Sequence, residues 1–460
     1  MKTLKAKIEN RQATAAVIGL GYVGLPLAME IAAAGFNVIG IDLDKNKIAT
    51  LRNGRSYIGD VSETVVATNL KSGHFNPTSD FGSLRDADTV SICVPTPLSK
   101  SRDPDISFIL SATEEIRKYL HPGQLIVLES TTYPGTTDEL IVPELESSGL
   151  KVGADFCVAF SPERIDPGNA TFNTRNTPKI VGGITAECTE IARLFYSQFI
   201  ERVIPVSSTK CAEMVKLLEN TFRSVNIGMV NELAQMCDLL GVDVYEVIDA
   251  AATKPFGFIP FYPGPGLGGH CIPVDPHYLA WKLKALNFQA RFIGLAAEIN
   301  GMMPSVVAGL VADGLNRSSK SIRGSKIMIL GVAYKKNVSD CRESPALDVM
   351  RLLSDKGAVL SYNDPFVPTL RLGATLLKSI DLTPAQIAGH DCVVLLTDHS
   401  AYDIEKIVQA SRLLIDTRNA TKHLRRYKER IIKLGAGNHV PSRSPHDVDP
   451  AVHPVEVIAH

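Results

Sequence analysis

Apolar and polar positions near the start of the chain are arranged as a strand, a tight turn, a helix and a second strand. The segment AAVIGLGYVGLPLAMEIAAAGFNVIGIDLD, residues 15–44, opens with the apolar run 15–18, and glycines spaced as G-x-G-x-x-G follow. A helical stretch from Pro26 ends at Gly35, and the apolar run 38–41 closes on an acid. This order predicts a βαβ unit with a parallel sheet.

Later segments predict more sheet, a helical middle and a second module of the first kind. Short apolar runs in TVSICVP, QLIVLES and FCVAFSP extend the first sheet to about residue 206. A proline-free helical pattern covers roughly 210–240, and helical character resumes near His277 and persists to about residue 315. From Ser325, KIMILGVAYK, ALDVMRLLSDKG and AVLSYNDP again spell strand, helix and strand. This module lacks G-x-G-x-x-G, so we do not expect it to hold a dinucleotide in the same way.

The pattern therefore predicts an α/β protein in which two Rossmann-like, doubly wound modules are joined by a central helical domain. The predicted domains are the first module (1–206), the helical domain (207–318), the second module (319–435) and a tail (436–460). The tail is rich in Pro, His and Ser without a period, which predicts a flexible segment.

Composition and charge narrow the class of ligand. The chain has 460 residues, and its 48 Lys and Arg nearly balance its 49 Asp and Glu. No basic field favours nucleic acid or an anionic membrane, so we expect a small ligand. The N-terminus MKTLKAKIENRQ has no apolar signal core, and no apolar run approaches the roughly 18 residues of a membrane span. These features predict a cytoplasmic protein with neither nucleic-acid nor membrane partners.

The eight cysteines are scattered without a C-x-x-C pair, which argues against zinc or a redox dithiol, and we predict no metal site. Cys93, Cys157 and Cys392 lie in apolar, strand-like runs and are expected to be small buried hydrophobic residues. Cys271 lies in no such run.

The glycine turn has the context of a dinucleotide site. Gly19, Gly21 and Gly24 follow a strand and open a helix, and an acid stands at the end of the next strand. The glycines let the backbone approach a pyrophosphate at the helix N-terminus, and Asp42 can accept hydrogen bonds from the adenosine ribose. An acid disfavours a 2′-phosphate, so NAD is favoured over NADP, although the nearby Lys47 weakens that preference. The alternative is a glycine turn in a domain that binds no nucleotide.

GPGLGGHCIPVDP, residues 264–276, is a glycine-rich loop with a cysteine and an aspartate four residues apart. Glycines cost backbone entropy but let a ligand lie against bare backbone. A thiolate at Cys271 can trap an aldehyde as a thiohemiacetal whose hydride leaves to NAD, and water must then cleave the resulting thioester. Such a site oxidises an alcohol twice, to the acid. On the residues alone, a structural cysteine in a tight turn is the alternative.

Several segments together resemble one known family. GLGYVGLPLA, ESTTYPGTT, FSPERIDPGN, AEMVKLLENTF, GPGLGGHCIPVDP and GVAYKKNVSDCRESPA occur in the order found in the UDP-glucose and UDP-N-acetylmannosamine dehydrogenase family, and the similarity covers nearly all of residues 13–435. SPERIDPGN and TDHSAYD look most like the bacterial UDP-N-acetylhexosamine 6-dehydrogenases, especially those acting on UDP-N-acetylglucosamine. The resemblance implies the same three-part architecture, with the central helices forming a homodimer interface.

Carried over by position, the resemblance implies a catalytic set. Cys271 is similar to the family's nucleophile, and Lys216 to the lysine that stabilises the developing oxyanion. Asp275 and Thr131 would hold the water or proton relay near the sugar C6, and Asn220 would assist. The alternative for the lysine and the asparagine, four residues apart on a helix, is a solvated stripe, and the aspartate is also a candidate cap.

Glu163 would orient or activate water for thioester hydrolysis, with a loop cap as the alternative. Two departures near the site weaken glucose specificity. Where UDP-glucose members carry a second glutamate this chain has Pro167, with Arg164 as a new feature, and Val274 replaces a lysine, so oxyanion stabilisation should depend more on the helix lysine. The arginine that those members send across a subunit boundary has no clear match near Lys254.

The ligand sites are assigned from the same resemblance and from residue chemistry, because the backbone of 264–269 can approach a diphosphate and Arg and Lys suit its oxygens. The NAD site comprises Gly19, Gly21, Tyr22, Val23, Gly24, Asp42, Lys47, Pro95, Thr96, Thr132 and Arg342. The UDP-sugar site comprises Glu163, Arg164, Lys216, Asn220, Tyr262, Gly264, Gly266, Gly268, Tyr334, Lys335 and Arg418.

The expected function is NAD-dependent, four-electron oxidation of UDP-N-acetylglucosamine at C6 for a surface polysaccharide. UDP-N-acetylmannosamine, the galacto epimer and, less favoured, UDP-glucose are alternative substrates, because a few hydrogen bonds read hydroxyl stereochemistry. A catalytically silent UDP-sugar-binding protein and a two-electron dehydrogenase that does not need Cys271 are competing hypotheses.

Overall fold

A computed structural model describes residues 1–99, 103–166, 169, 171–269 and 272–437. These residues form two compact units. Unit 1 comprises Met1–Val225 and His270–Gly294, and unit 2 comprises Asn226–Gly269 and the chain from Leu295 onward. The sequence therefore crosses from one unit to the other three times.

The described chain alternates helices and strands as an α/β protein does. The helices are α1 (Lys2–Glu9), α2 (Gly24–Ala33), α3 (Lys45–Arg52), α4 (Glu63–Lys71), α5 (Ser107–Tyr119), α6 (Val142–Glu146), α7 (Ala186–Tyr196), α8 (Thr209–Leu240), α9 (Val244–Ala252), α10 (Asp275–Lys284), α11 (Arg291–Asn316), α12 (Pro345–Asp355), α13 (Pro384–Ala388) and α14 (Ile404–Ala410). The strands are β1 (Thr14–Ile18), β2 (Asn37–Ile41), β3 (Phe75–Thr78), β4 (Thr89–Ile92), β5 (Leu125–Leu128), β6 (Cys157–Phe160), β7 (Lys179–Gly183), β8 (Val203–Pro205), β9 (Lys326–Leu330), β10 (Val359–Asn363), β11 (Thr369–Leu372), β12 (Thr375–Lys378), β13 (Cys392–Leu395), β14 (Leu414–Asp416) and β15 (Ile431–Lys433).

Unit 1 is built on an eight-stranded sheet in the order β3-β2-β1-β4-β5-β6-β7-β8. Alternate residues of β1 enter two different cores: Ala15 and Val17 pack in one, and Ala16 and Ile18 in the other. Because successive side chains of a strand point to opposite faces, the sheet is covered on both sides, as a doubly wound fold requires.

Unit 2 repeats this plan with a five-stranded parallel sheet in the order β10-β9-β13-β14-β15. Ile327 and Ile329 of β9 enter one core, and Met328 and Leu330 enter the other. The last part of α8 and α9 form a further apolar cluster in the same unit. The two predicted Rossmann-like modules and the helical elements between them are confirmed.

Three local features differ from the expectation. β7 pairs antiparallel with β6, so the first sheet is not parallel throughout, and an unpredicted antiparallel hairpin joins β11 to β12. The predicted helical region from His277 to about 315 is two helices, α10 and α11, separated near Asn287, whose φ is 56°. A positive φ interrupts the helical hydrogen-bond ladder because it lies outside the right-handed region.

Among the described residues, α11 is the helix whose length and composition would allow it to cross a bilayer, with a mean hydropathy of 1.4 over 18 residues. Half of that window is buried within the protein, and Pro304 lies inside the helix. A core helix has these same properties.

Candidate active site

The glycine turn of unit 1 joins β1 to α2 through three glycines with different surroundings. Gly19 has a φ of 91°, and a Cβ there would lie 2.5 Å from the carbonyl oxygen of Cys93. A Cβ on Gly24 would lie 1.9 Å from the carbonyl oxygen of Gly19, whereas a Cβ on Gly21 would meet no atom within 4 Å. Gly19 and Gly24 are therefore needed for packing, and Gly21 leaves open space beside the backbone.

The helix that follows presents its N-terminus to this space. Val23 precedes α2 and provides no side-chain cap, and neighbouring Tyr22 is exposed. An uncapped N-terminus carries partial positive charge and N–H groups that suit a phosphate. These residues fit the pyrophosphate of a dinucleotide.

Asp42 lies directly after β2, where the ribose ligand was expected. Its carboxylate accepts hydrogen bonds from the backbone N–H of Leu20 at 3.0 Å and of Asp44 at 2.9 Å. Lys47 Nζ donates to the same carboxylate at 3.0 Å. The acid is thus held at the rim of the turn by the loop it faces, and it is in direct contact with Lys47, the other charged residue assigned to NAD in this unit.

The other residues of unit 1 that were assigned to NAD differ in their exposure and in their contacts. Pro95 is exposed and Thr96 half-buried after β4, and the carbonyl oxygen of Thr96 accepts a hydrogen bond from Tyr278 at 3.0 Å. Thr132 is buried, and its hydroxyl is bonded to the hydroxyl of Thr136 at 2.6 Å. Its place in the NAD site stays a prediction.

One face of α8 gathers the candidate catalytic residues of unit 1. Glu213, Lys216 and Asn220 are three and four residues apart and so lie on neighbouring turns of one helix face. Buried Glu213 accepts hydrogen bonds from the N–H groups of Gly135 at 2.6 Å and Thr137 at 3.0 Å. This carboxylate ties the loop that follows β5 to the helix.

Lys216 and Asn220 make the remaining contacts of that face. Lys216 is buried, and its Nζ donates to the carbonyl oxygen of Glu163 at 2.6 Å. Asn220 donates from Nδ2 to Asp275, the first residue of α10. The two side chains therefore do not form a solvated stripe, and their catalytic roles stay predictions.

Asp275 is buried, with 3% of its surface exposed. Burial raises its pKa to about 6, although the Lys216 ammonium and the Asn220 amide both act to lower it. A carboxyl group with this pKa is ionised at neutral pH and can accept a proton without being a strong acid.

The loop after β6 carries the other predicted carboxylate. Oε1 of Glu163 accepts the backbone N–H groups of Arg164 and Ile165, both at 2.7 Å, so the side chain caps its own loop. Arg164 binds Glu219 of α8 through Nη2 at 2.6 Å and Nε at 3.3 Å. Its predicted role toward the sugar stays a prediction, because the guanidinium is bound to this carboxylate.

Four residues that contact the candidate site were not predicted from the sequence: Glu213 and Glu219 of α8, and the pair of Glu129 and Lys179. Glu129 follows β5 and Lys179 begins β7, and their side chains form a buried ion pair at 2.7 Å beside Glu163. The only local signal was an acid directly after a buried strand, and 50 residues separate the pair in sequence.

Thr131 lies half-buried in the loop after β5. Cys271 lies outside the described residues, and so does Pro167. Val274, the other departure, directly precedes α10.

The residues assigned to the sugar nucleotide in unit 2 come together around the glycine loop. A Cβ on Gly264 would lie 2.6 Å from Nη1 of Arg418, and Cβ atoms on Gly268 and Gly269 would lie within 3 Å of Tyr334. The loop is anchored by the N–H of Gly264, which donates to Asn231 Oδ1 at 2.9 Å. The absence of side chains lets an arginine and a tyrosine lie against bare backbone, which suits a diphosphate site.

The guanidinium of Arg418 is held by its Nε, which donates to the carbonyl oxygen of Leu396 at 2.8 Å. Burial lowers the pKa of Arg418, although nearby acidic groups act to raise it. An arginine in such surroundings stays charged and gains from an anionic partner.

The remaining residues of this group lie at the edges of unit 2. Tyr262 is exposed, donates to Asp249 at 2.6 Å and stacks on Tyr245. Gly266 has a φ of 130° and packs against α11 and Pro345. Lys335 follows Tyr334. Arg342, which was assigned to NAD and not to the sugar nucleotide, is also in unit 2, where it is exposed and pairs with Asp340 at 2.6 Å; its role toward NAD stays a prediction.

A glycine turn that fits a dinucleotide, together with a buried acid and lysine in the same unit, is typical of an NAD-dependent oxidoreductase of the Rossmann type. The chain belongs to the UDP-glucose/GDP-mannose dehydrogenase family. The family's NAD binding domain matches residues 13–200, its central domain residues 210–302 and its UDP binding domain residues 328–423. The protein is thus a nucleotide-sugar dehydrogenase with NAD as its cofactor.

Relatives that are named for different sugars are almost equally similar to this chain in sequence. The chain is 36% identical to the UDP-N-acetyl-D-mannosamine dehydrogenase of Methanococcus maripaludis over 88% of this chain and 93% of the relative. It is 33% identical to the UDP-N-acetyl-D-glucosamine 6-dehydrogenase of Pseudomonas aeruginosa over 87% and 95%. The crystal structure of a UDP-D-ManNAc dehydrogenase from Pyrococcus horikoshii superimposes with a TM-score of 0.84 at 33% identity, covering 92% of this chain and 99% of that one.

Proposed function

We propose that the protein oxidises UDP-N-acetylglucosamine at C6 to the carboxylate, with a covalent intermediate on Cys271. The C6 alcohol first loses a hydride and a proton to give an aldehyde. The Cys271 thiol adds to this aldehyde, and the thiohemiacetal loses a second hydride and proton to give a thioester. Water then cleaves the thioester and restores the thiol. Each turnover therefore consumes one sugar nucleotide, two NAD and one water, and yields the acid and two NADH.

The described residues are suited to the proton and charge changes in these steps. Bound NAD accepts the hydride in each oxidation. Asp275, ionised at neutral pH, receives the alcohol proton directly or through the water that it holds with Thr131. The Lys216 ammonium lies beside it and stabilises negative charge on O6, with Asn220 fixing the orientation of the aspartate. Glu163 orients the water that attacks the thioester.

The observation that carries the proposal is the buried group of Asp275, Lys216 and Asn220, whose aspartate lies four residues after Cys271 in the chain. A desolvated aspartate whose pKa is raised to about 6 beside a buried ammonium costs stability and is typical of a catalytic site. This group also favours an enzyme over a silent sugar-nucleotide-binding protein.

The choice of sugar depends on two segments. SPERIDPGN and TDHSAYD favour UDP-N-acetylglucosamine, and Arg164 fixes the first of them to α8. The manno and galacto epimers of the N-acetylhexosamine are the second candidates, because the relatives' names include more than one sugar. The carboxylated product would be a precursor for a surface polysaccharide.

The test is a panel of UDP-hexoses and UDP-N-acetylhexosamines in which NADH and acid are both counted. We expect the highest kcat/KM with UDP-N-acetylglucosamine and two NADH per sugar. One NADH per sugar would indicate a two-electron dehydrogenase, and none would indicate a silent binding protein. Cys271→Ala should lose acid formation while it still binds UDP-sugar and NAD, and unchanged turnover of that variant would exclude the covalent step.

We also propose a homodimer formed through α8. Large apolar side chains on this helix are exposed at positions that repeat every three, four or seven residues: Met214, Leu218, Phe222, Met229, Met236, Leu239 and Leu240. An exposed apolar stripe of this length is typical of an interface. Sedimentation of the full chain should give a dimer or larger assembly, and a monomer at micromolar concentration would contradict it. The cytoplasmic location and the four domain boundaries are proposed as in the sequence analysis.

A further inference from the structure

The buried ion pair of Glu129 and Lys179 lies next to the proposed hydrolytic carboxylate. The side chains of Glu129 and Lys179 are 0% and 6% exposed, and their charged atoms are 2.7 Å apart. The same ammonium is 3.7 Å from Oε2 of Glu163. One lysine therefore faces two carboxylates at unequal distances.

The pair is held rigidly by a third element. The hydroxyl of Tyr196, on α7, donates to Oε1 of Glu129 at 2.5 Å. Lys179 Nζ lies 5.1 Å from the centre of the same tyrosine ring. The lysine is thus fixed by the end of β5, the start of β7 and α7.

A structural role explains this arrangement poorly. Removing two charges from water costs about as much as their attraction returns, and apolar residues of the same size would hold these strands equally well. Burial would lower the pKa of Lys179, but the carboxylates of Glu129 and Glu163 outweigh it and the pKa is raised. The lysine therefore stays charged, and its charge is available to Glu163.

The hydrogen bonds of Glu163 leave a defined role for that charge. Oε1 is occupied by two backbone N–H groups of its own loop, whereas Oε2 faces the lysine at a distance longer than a hydrogen bond. An ammonium at this distance attracts the carboxylate oxygen without occupying its lone pairs. Oε2 remains able to accept a proton from water.

We propose that Lys179, fixed by Glu129 and Tyr196, is a positioning residue that orients Glu163 for thioester hydrolysis. The inference rests on the proposed function, because it assigns Glu163 to that step. Glu129 holds the ammonium at the shorter distance of 2.7 Å, so Lys179 does not close onto Glu163 and block it. Lys179 itself does not touch the reacting atoms.

The experiment separates hydrolysis from the two hydride transfers, which precede it. Enzyme is mixed with NAD and UDP-N-acetylglucosamine, NADH is followed in the first turnover, and acid-quenched enzyme is weighed by mass spectrometry for a sugar thioester on Cys271. The variants are Lys179→Met, Lys179→Arg and the neutral double variant Glu129→Gln/Lys179→Met. Lys151→Met is the matched control, because Lys151 is an exposed lysine of the same unit, 3.4 Å from Glu146.

We expect the Lys179→Met variant to release two NADH per active site at the wild-type rate and then to turn over slowly, with the thioester accumulating. Steady-state kcat should fall at least about tenfold, less than the loss of a general base would give. Lys179→Arg should recover most of the hydrolysis rate, and Lys151→Met should behave as wild type. The double variant restores charge balance, so it should fold normally and still accumulate the thioester.

Hydrolysis at the wild-type rate in the double variant would overturn the inference, because the pair would then be structural. If that variant does not fold, Tyr196→Phe removes one hydroxyl group and tests the same point, with slower hydrolysis supporting the inference and unchanged hydrolysis contradicting it. A measurement with Glu163→Gln separates failure of the inference from failure of the assignment on which it rests. Failure of wild type to release two NADH per sugar would remove the proposed function itself. Failure of Glu163→Gln to accumulate thioester would remove the hydrolytic role of Glu163, and the inference with it, while the two oxidation steps would stand.

Discussion

The two Rossmann-like modules place an aspartate at the same point and use it differently. Asp42 follows β2 and Asp364 follows β10, each the strand beside the first strand of its sheet. The side chain of Asp42 is 10% exposed and pairs with Lys47 at the rim of the glycine turn. That of Asp364 is 0% exposed and bonds to His399 at 3.1 Å and to the N–H groups of Val332 and Ala333. The first acid is partly exposed beside the glycine turn, and the second is fully buried and holds its own loop.

The loops after the first strands explain the difference. In unit 1, residues 19–23 lead from β1 directly into α2, so a helix N-terminus lies beside the acid. In unit 2, residues 331–344 separate β9 from α12, and part of this longer loop covers Asp364. Gly331 repeats the positive φ of Gly19, and a Cβ there would lie 2.4 Å from the carbonyl oxygen of Thr397. The second module therefore has the first glycine, which packing requires, but lacks the turn that suits a phosphate.

The comparison shows that topology alone does not define a dinucleotide site. Both modules have parallel strands covered on two faces, yet only the first joins an open glycine, an uncapped helix N-terminus and an accessible acid among the described residues. In unit 2 the candidate site for the substrate nucleotide is instead the glycine loop around Gly264. This loop precedes the module in sequence and lies against Arg418 of the module. Three substitutions test this division.

Gly24→Ala should have the largest effect. Its Cβ would overlap the carbonyl oxygen of Gly19, and because that neighbour is backbone the turn must deform, at a cost of about 3 kcal/mol or more of unfolding free energy. Gly21→Ala is the matched control, since its Cβ meets open space and should weaken NAD binding with little change in stability. Chemical denaturation and NADH titration measure the two effects. Equal loss of stability in both variants would remove the distinction between packing and ligand glycines.

Asp364→Asn should destabilise the protein by about 2–3 kcal/mol at neutral pH and leave NAD affinity unchanged, because a buried charged hydrogen-bond acceptor is lost. Burial would raise the pKa of Asp364, but His399 and three backbone N–H groups outweigh it and hold the pKa below its usual value. The ionised group therefore stabilises the folded state above about pH 4, and this contribution is lost as the pH falls. The stability difference between wild type and variant should shrink in acid. Weaker NAD binding by this variant would contradict the comparison.

Asp42→Asn should have the smallest effect. In contrast to Asp364→Asn, it should change the affinity for NAD more than the stability of the fold. Loss of the charged acceptor should raise the NAD dissociation constant about tenfold, or roughly 1.4 kcal/mol. Stability should change by less than about 1 kcal/mol, because the ion pair with Lys47 is partly exposed. Isothermal titration with NAD measures the first quantity. An unchanged dissociation constant would show that Asp42 holds only its own loop.

Much of the site was readable from local pattern because its signals lie within a few residues. The glycine turn before α2 has such a signal, whereas Lys216 and Asn220 were assigned from the family resemblance, and their spacing indicated only a shared helix face. The face of α8 was readable only in part. That Glu213 ties down one loop and Glu219 another follows from which loops lie against the helix, and no sequence spacing reports this.

The amino-acid sequence by itself determined the two modules with helices between them, the dinucleotide turn and the family. Hydrophobic periods of two or 3.6 residues and the residue types of turns are local properties, so they can be recognised without coordinates. The tertiary structure decided which charges meet: Glu129 with Lys179 across 50 residues, and Asp364 with His399 across 35. Such pairs depend on which strands become neighbours in a sheet. The free energy of a charged side chain depends on its burial, and burial is a property of the whole fold and not of the single residue.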